Sequence, residues 1–164
     1  MHSSNLANDI VQLLKRQSLT LSIAESFTGG GVANAIILVD GASSVFYEGI
    51  VCYNSMSKME RLGVDKSLLM QAGAVNGVVA KEMVCGILQT KKADIAVATT
   101  GIAGSGTDDF GTPVGRAFIA CGNESDVTVQ EFLFEGNRRN IIQAGIDTAL
   151  HMLYEYLLTR EGKL

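Results

Sequence analysis

Histidine occupies two of the 164 positions, His2 and His151, and that scarcity removes much of the usual catalytic repertoire. A Ser-His-Asp triad would have to recruit a residue in the N-terminal tail or one on a C-terminal helical stripe, so it is discarded. Cysteine is nearly as sparse. Cys52, Cys85 and Cys121 are odd in number, widely spaced and free of any Cys-x-x-Cys pair. That excludes a disulfide framework and a structural zinc site, and reads as small core residues in a reducing, cytoplasmic compartment. Long apolar runs are missing too. Val32 to Val39 is cut short by Asp40 and Gly41, well below the roughly 18 residues that a membrane helix needs. Met1 to Ser18 carries polar and charged residues throughout and does not read as a signal peptide. Basic residues are scattered, with only Lys91-Lys92 and Arg138-Arg139 adjacent, and the formal charge is -4. No nucleic-acid or membrane partner is expected. Carboxylate clusters are absent apart from Asp108-Asp109, so metal chemistry is unsupported and no cofactor is expected.

What is present is a core. With 47% hydrophobic and 18% charged residues, the chain has the size and composition of one domain, taken as residues 1–164. Leu6, Ile10, Leu13 and Leu14 follow a helical stripe. Leu19 to Ala24 reads as a strand, Val32 to Val39 as a helix, Tyr47 to Tyr53 as a strand, and Lys58 to Leu62 as helical. Asp65 and Asn76 sit at N-cap positions before helices at 66–71 and 77–90. Strands follow at 94–99, 117–121 and 127–134, the last two as an antiparallel pair, and Ile142 to Leu157 marks a long closing helix. Interspersed strands and helices predict an α/β fold, a three-layer α/β/α sandwich with a mixed central sheet.

Two strands end in loops richer in Gly, Ser and Thr than packing requires: Glu25-Ser26-Phe27-Thr28-Gly29-Gly30-Gly31 and Thr99 to Thr107. Ligands in α/β sheets settle beyond the carboxyl ends of strands, so both loops are expected to face one pocket. A helix starting after Gly29 would aim free N–H groups at an anion, and a phosphate fits. Neither loop matches the Walker or dinucleotide pattern. The chemistry left after elimination is a hydroxyl nucleophile activated by a partly buried lysine. Lys58 is the candidate base, and Ser43 and Ser44 are candidate nucleophiles.

The ordered segments Ala24-Glu25-Ser26-Phe27-Thr28-Gly29-Gly30, Gly41-Ala42-Ser43, Gly49-Ile50-Val51-Cys52-Tyr53 with Lys58, Leu62-Gly63-Val64, Gly73-Ala74-Val75, Thr100-Gly101-Ile102-Ala103-Gly104 and Pro113-Val114-Gly115 resemble the CinA C-terminal domain family, in a form without the larger N-terminal domain of many members. The resemblance implies a metal-independent nicotinamide-nucleotide amidohydrolase. Such an enzyme converts nicotinamide mononucleotide to nicotinate mononucleotide and ammonia in the pyridine nucleotide cycle of NAD metabolism. On the family pattern Ser43 would be the nucleophile, Lys58 the base and Tyr53 a helper that orients the lysine or relays a proton. The substrate's phosphate would lie against the amides of Thr28, Gly29 and Gly30 or of Thr100 and Gly101, with Arg138 as counter-charge. Ser26 counts among the substrate-binding residues. Two roles are open to Glu25: contact with ribose hydroxyls, or bracing the glycine loop. Departures from the pattern include Phe27 for a small Cys, Ser105 for Pro, Asn54-Ser55 in reversed order, Asn76 for Ser, and Asp108-Asp109-Phe110-Gly111-Thr112 before Pro113. Phe27 and Phe110 are expected to narrow or reshape the pocket. The departures around the glycine loop motivate one alternative, a catalytically silent paralogue that binds a nucleotide or protein partner, and Phe27 another, an amidase for another small amide. The resemblance and the mean hydropathy of +0.23 also suggest a homo-oligomer.

Overall fold

The computed structural model describes residues 3–104 and 106–161; position 105, where Pro is replaced, lies outside them. The chain runs α1 (Ser3–Gln17), β1 (Leu21–Glu25), α2 (Gly31–Ile37), a 3-10 turn (Ala42–Ser44), β2 (Phe46–Val51), α3 (Ser55–Leu62), α4 (Lys66–Ala72), α5 (Gly77–Leu88), β3 (Ile95–Gly101), β4 (Arg116–Gly122), β5 (Val127–Leu133) and α6 (Arg138–Glu161). The five strands form one open sheet in the order β2-β1-β3-β4-β5. β1 is parallel to both neighbours, while β3–β4 and β4–β5 are antiparallel. The carboxyl ends of β1, β2 and β3 therefore point the same way, and β4 starts on that side.

Strand alternation divides the core between the two faces. Leu21, Ile23, Ile95, Val97 and Ile119 face the layer of α1, α2 and α6. Ala24, Ala96, Ala98 and Ala120 face α3 to α5. The small alanines on the second face let α5 lie close to the sheet, where Val79, Met83, Val84 and Ile87 are buried. The three-layer arrangement and the antiparallel β4–β5 pair stand as expected. α2 ends at Ile37, short of the anticipated stop at Asp40. Asp65 and Asn76 do cap their helices, accepting from Leu68 N at 3.0 Å and Val79 N at 2.9 Å.

The crossing of α3 and α5 depends on one missing side chain. A Cβ on Gly86 of α5 would lie 1.9 Å from the carbonyl oxygen of Leu62, at the end of α3. Backbone cannot move aside as a side chain can, so Gly86→Ala is expected to destabilise the fold by about 1–3 kcal/mol through forced overpacking. Thermal unfolding checks this, and an unchanged midpoint would contradict it.

Candidate active site

The carboxyl end of the parallel strands holds a cavity of about 410 Å³ whose walls come from the residues just after β1, from β3, α3, the 73–75 connection, the loop after β3 and the start of α6. Ser26 follows the last residue of β1 and is pinned there by its own N–H, which donates to Thr99 O at 3.0 Å. Lys58 reaches the same point from α3. Asn54 caps that helix by accepting from Met56 N at 2.8 Å, so the reversed Asn54-Ser55 order supplies a good N-cap. Lys58 and Leu62, one turn apart, then share the buried face.

Lys58 is 1% exposed, among the largest fully buried side chains. Its Nζ donates to Ser26 Oγ at 2.9 Å and Cys52 O at 2.7 Å, with Tyr53 O at 3.4 Å. These partners are a hydroxyl and two carbonyls, with no carboxylate among them. Burial holds the Lys58 ammonium below its ordinary value of 10.5, with only the neighbouring Cys52 acting in the opposite direction. The arrangement also suits the neutral amine: two N–H groups can stay on the carbonyls while the lone pair accepts the Ser26 proton. The Cys52 thiol is pushed up by burial, which leaves it a poor competing nucleophile.

Lys58 also links stability to pH. Its folded pKa lies below the unfolded value, so between the two the unfolded chain binds more protons and stability rises with pH. The rise is expected from the lowered folded value up to about 10.5. Lys58→Met should flatten it, as read by denaturant unfolding at a series of pH values. Cys52, Tyr53, Arg138, Asp108 and Asp109 share this surrounding. An unaltered slope in Lys58→Met would refute the assignment of the rise to Lys58.

Ser43 is not brought to Lys58. It lies exposed in the 3-10 turn before β2, whereas Lys58 follows the carboxyl end of that strand. Five residue steps of β2 separate the two ends by roughly 17 Å, so the expected Ser43–Lys58 proton transfer is corrected. Ser44, whose hydroxyl donates to Gly41 O at 2.9 Å, shares that remote turn. Ser26, read from the sequence as a binding residue, is the hydroxyl that meets Lys58 instead. The signal for it was topological: a lysine following the carboxyl end of β2 meets a residue at the carboxyl end of its parallel neighbour.

The glycine loop is also corrected as a phosphate cradle. Glu25, 1% exposed, turns its carboxylate onto the start of α2. Oε2 accepts from Gly30 N at 3.0 Å, Val32 N at 3.1 Å and Thr28 Oγ1 at 2.6 Å, and Oε1 accepts from Ala33 N at 2.8 Å. Gly29 N donates to Ser26 O at 3.1 Å. The anion at this helix N-terminus is therefore the protein's own. Glu25 braces the loop, and its burial leaves no carboxylate for a ribose.

Thr100 and Gly101 do line the cavity. The Thr100 hydroxyl donates to Ala74 O at 2.7 Å, tying the 73–75 connection to β3. Tyr53 stands at the rim, 60% exposed; its carbonyl faces Lys58, and its phenol oxygen accepts from Arg138 Nη2 at 2.9 Å. Phe27 lines the cavity, but its ring is only 3% exposed and fills space that a Cβ on Gly145 or Gly101 would take. Phe110 remains at the wall, 47% exposed. No group of three or more His, Cys, Asp or Glu side chains able to hold a metal occurs among the described residues. None of the described helices is long and apolar enough to cross a membrane.

The sequence profile of the CinA C-terminal domain matches residues 3–157. The chain belongs to the CinA C-terminal domain family. A CinA-like protein of Geobacter sp. (strain M21) is 38% identical over 149 residues, 91% of this chain and 36% of that protein. A Clostridium beijerinckii relative, named for competence and damage induction, is 40% identical over 154 residues, 94% of this chain and 38% of its own length. The chain thus spans less than two fifths of these relatives. Among solved structures, the competence/damage inducible protein CihA from Agrobacterium tumefaciens superposes with a TM-score of 0.88 at 36% identity, covering 92% of this chain and 93% of that one. A CinA superfamily protein from Klebsiella pneumoniae does so with 0.92 at 28% identity, covering 97% and 99%. The CinA fold is thus matched over nearly the whole chain.

Proposed function

We propose that this CinA-family domain is an amidohydrolase of nicotinamide nucleotides in which Ser26 is the nucleophile and Lys58 its base. The observation that carries the reading is the buried Lys58 amine, 2.9 Å from the Ser26 hydroxyl at the floor of a polar cavity. A lysine buried without a carboxylate is costly to keep for structure alone, and burial that disfavours its ammonium makes the amine a readier proton acceptor than an ordinary lysine.

In this mechanism Lys58 Nζ takes the Ser26 proton as Oγ bonds to the carboxamide carbon, and the carbonyl π pair moves onto oxygen. The N–H of Phe27, the residue after the nucleophile, would be the donor that meets the developing oxyanion. Collapse expels the amide nitrogen, which takes the proton from Lys58 and leaves as ammonia. Water, deprotonated by Lys58, then attacks the acyl ester; the ester bond breaks and Ser26 Oγ regains its proton. Arg138, held over the rim by Tyr53, is placed to receive the nucleotide phosphate in place of the glycine loop.

The test is ammonia release from nicotinamide mononucleotide by the purified protein, with stoichiometric nicotinate mononucleotide. A folded protein that releases none would overturn the reading and favour the silent binding paralogue.

A further inference from the structure

Phe110 is an aromatic side chain of the cavity left without an internal role. Phe27 is sealed into the core and the Tyr53 phenol is engaged by Arg138. The Phe110 ring has nearly half its surface open on the cavity wall, and among the described residues no other ring stacks on it.

Its position is nevertheless fixed from two sides. Asp108 ties the turn beneath it, accepting at Oδ1 from Phe110 N at 3.0 Å and Thr112 N at 2.9 Å, and at Oδ2 from Thr112 Oγ1 at 2.8 Å. Burial of the Asp108 carboxyl works against these donations, but they prevail and hold it below its usual range. Opposite, the ring edge rests on Gly73. A Cβ there would come within 2.6 Å of Phe110 Cδ2, and Gly73 has a φ of +74°, which only glycine adopts freely. A solvent-facing aromatic held by a capped turn against a glycine seat is pre-organised, so little ordering cost remains when a ligand meets it. The neighbouring Asp109, also on the cavity wall, adds a negative charge.

We infer that Phe110 is the specificity-determining wall of this site: it stacks on the flat ring of a pyridinium carboxamide and selects aromatic, cationic amides over aliphatic ones. The inference rests on the amidohydrolase reading for its substrate class. A pyridinium is planar and carries its positive charge in the ring, the combination that an aromatic face and an adjacent carboxylate favour. Phe110 is a binding residue here and takes no part in proton transfer, so its removal acts on KM.

Phe110→Ala is expected to raise KM for nicotinamide mononucleotide roughly ten-fold with a much smaller change in kcat, and Phe110→Tyr to restore KM to within about two-fold of the parent. A second readout separates this idea from the reaction itself. The chain has no tryptophan, so Phe110→Trp in a Ser26→Ala background gives a single indole that a stacked pyridinium quenches. Saturable quenching by nicotinamide mononucleotide, absent with ribose 5-phosphate, is the expected result. If the parent turns over and Phe110→Ala leaves KM unchanged, the stacking role is wrong while the amidohydrolase reading stands. If the parent is inactive, quenching still decides: saturable quenching supports the ring wall, and its absence overturns it.

Discussion

Ser26→Ala is expected to reduce ammonia release from nicotinamide mononucleotide by on the order of 10³-fold or more, while Ser43→Ala leaves it within about two-fold of the parent. The contrast follows from placement. Ser26 Oγ lies 2.9 Å from a buried amine; Ser43 lies exposed at the other end of β2. Lys58→Ala should cost about as much as Ser26→Ala, and the double variant scarcely more than either, because nucleophile and base act as one unit. Both single variants should fold, since Ser26→Ala removes one oxygen and Lys58→Ala removes a charge that burial disfavours. Circular dichroism and thermal unfolding verify that. A Ser26→Ala protein with near-parental turnover would refute the mechanism, and loss of turnover in Ser43→Ala at full stability would return the nucleophile to the turn before β2.

The contrast also shows what a sequence carries and what it does not. Helix and strand positions were readable because their causes are local: the 3.6-residue stripe of α1, the apolar run of β3, and the capping side chains Asp65 and Asn76, which accept the bonds expected of them. Lys58 was readable as a candidate base from its place after a strand. Its partner was not, because Ser26 and Lys58 are 32 positions apart and meet only through the parallel pairing of β1 with β2. Ser43 is nearer in sequence and sits in a motif of similar composition, but on a strand proximity in sequence runs along the axis, away from the site. The glycine loop was misjudged for a related reason. Gly-rich loops before helices admit phosphate when their amides are free, and here a side chain five to eight positions earlier had already taken them. Phe27 shows the same dependence on distant residues: it lines the cavity, yet the missing side chain of Gly145 on α6, distant in sequence, lets most of its ring pack inward.

Glu25→Ala is the substitution expected to cost the most stability. Four donors converge on that carboxylate: the amides of Gly30, Val32 and Ala33 and the hydroxyl of Thr28. Val32 and Thr28 are buried, so the donors lose a partner that water replaces poorly, at about 1–3 kcal/mol for each one left unsatisfied. α2 has seven residues, too few to persist on propensity alone, and its Val32 and Ile36 belong to the larger core cluster. Allowing for relaxation, a loss of about 3–5 kcal/mol is expected, a fall in Tm of roughly 6–20 °C for a domain of this size. Ser26 follows Glu25 directly, and Gly29 N is bonded to Ser26 O, so activity should fall with stability. Glu25→Gln keeps one acceptor oxygen but sets an amide N–H group against the helix start, and should fall between the two. A ribose-binding Glu25 makes the opposite prediction: KM rises in Glu25→Gln while Tm stays at the parental value. Thermal unfolding and a KM measurement on the same preparation therefore distinguish brace from substrate contact, and the burial of Glu25 beneath its own loop favours the brace.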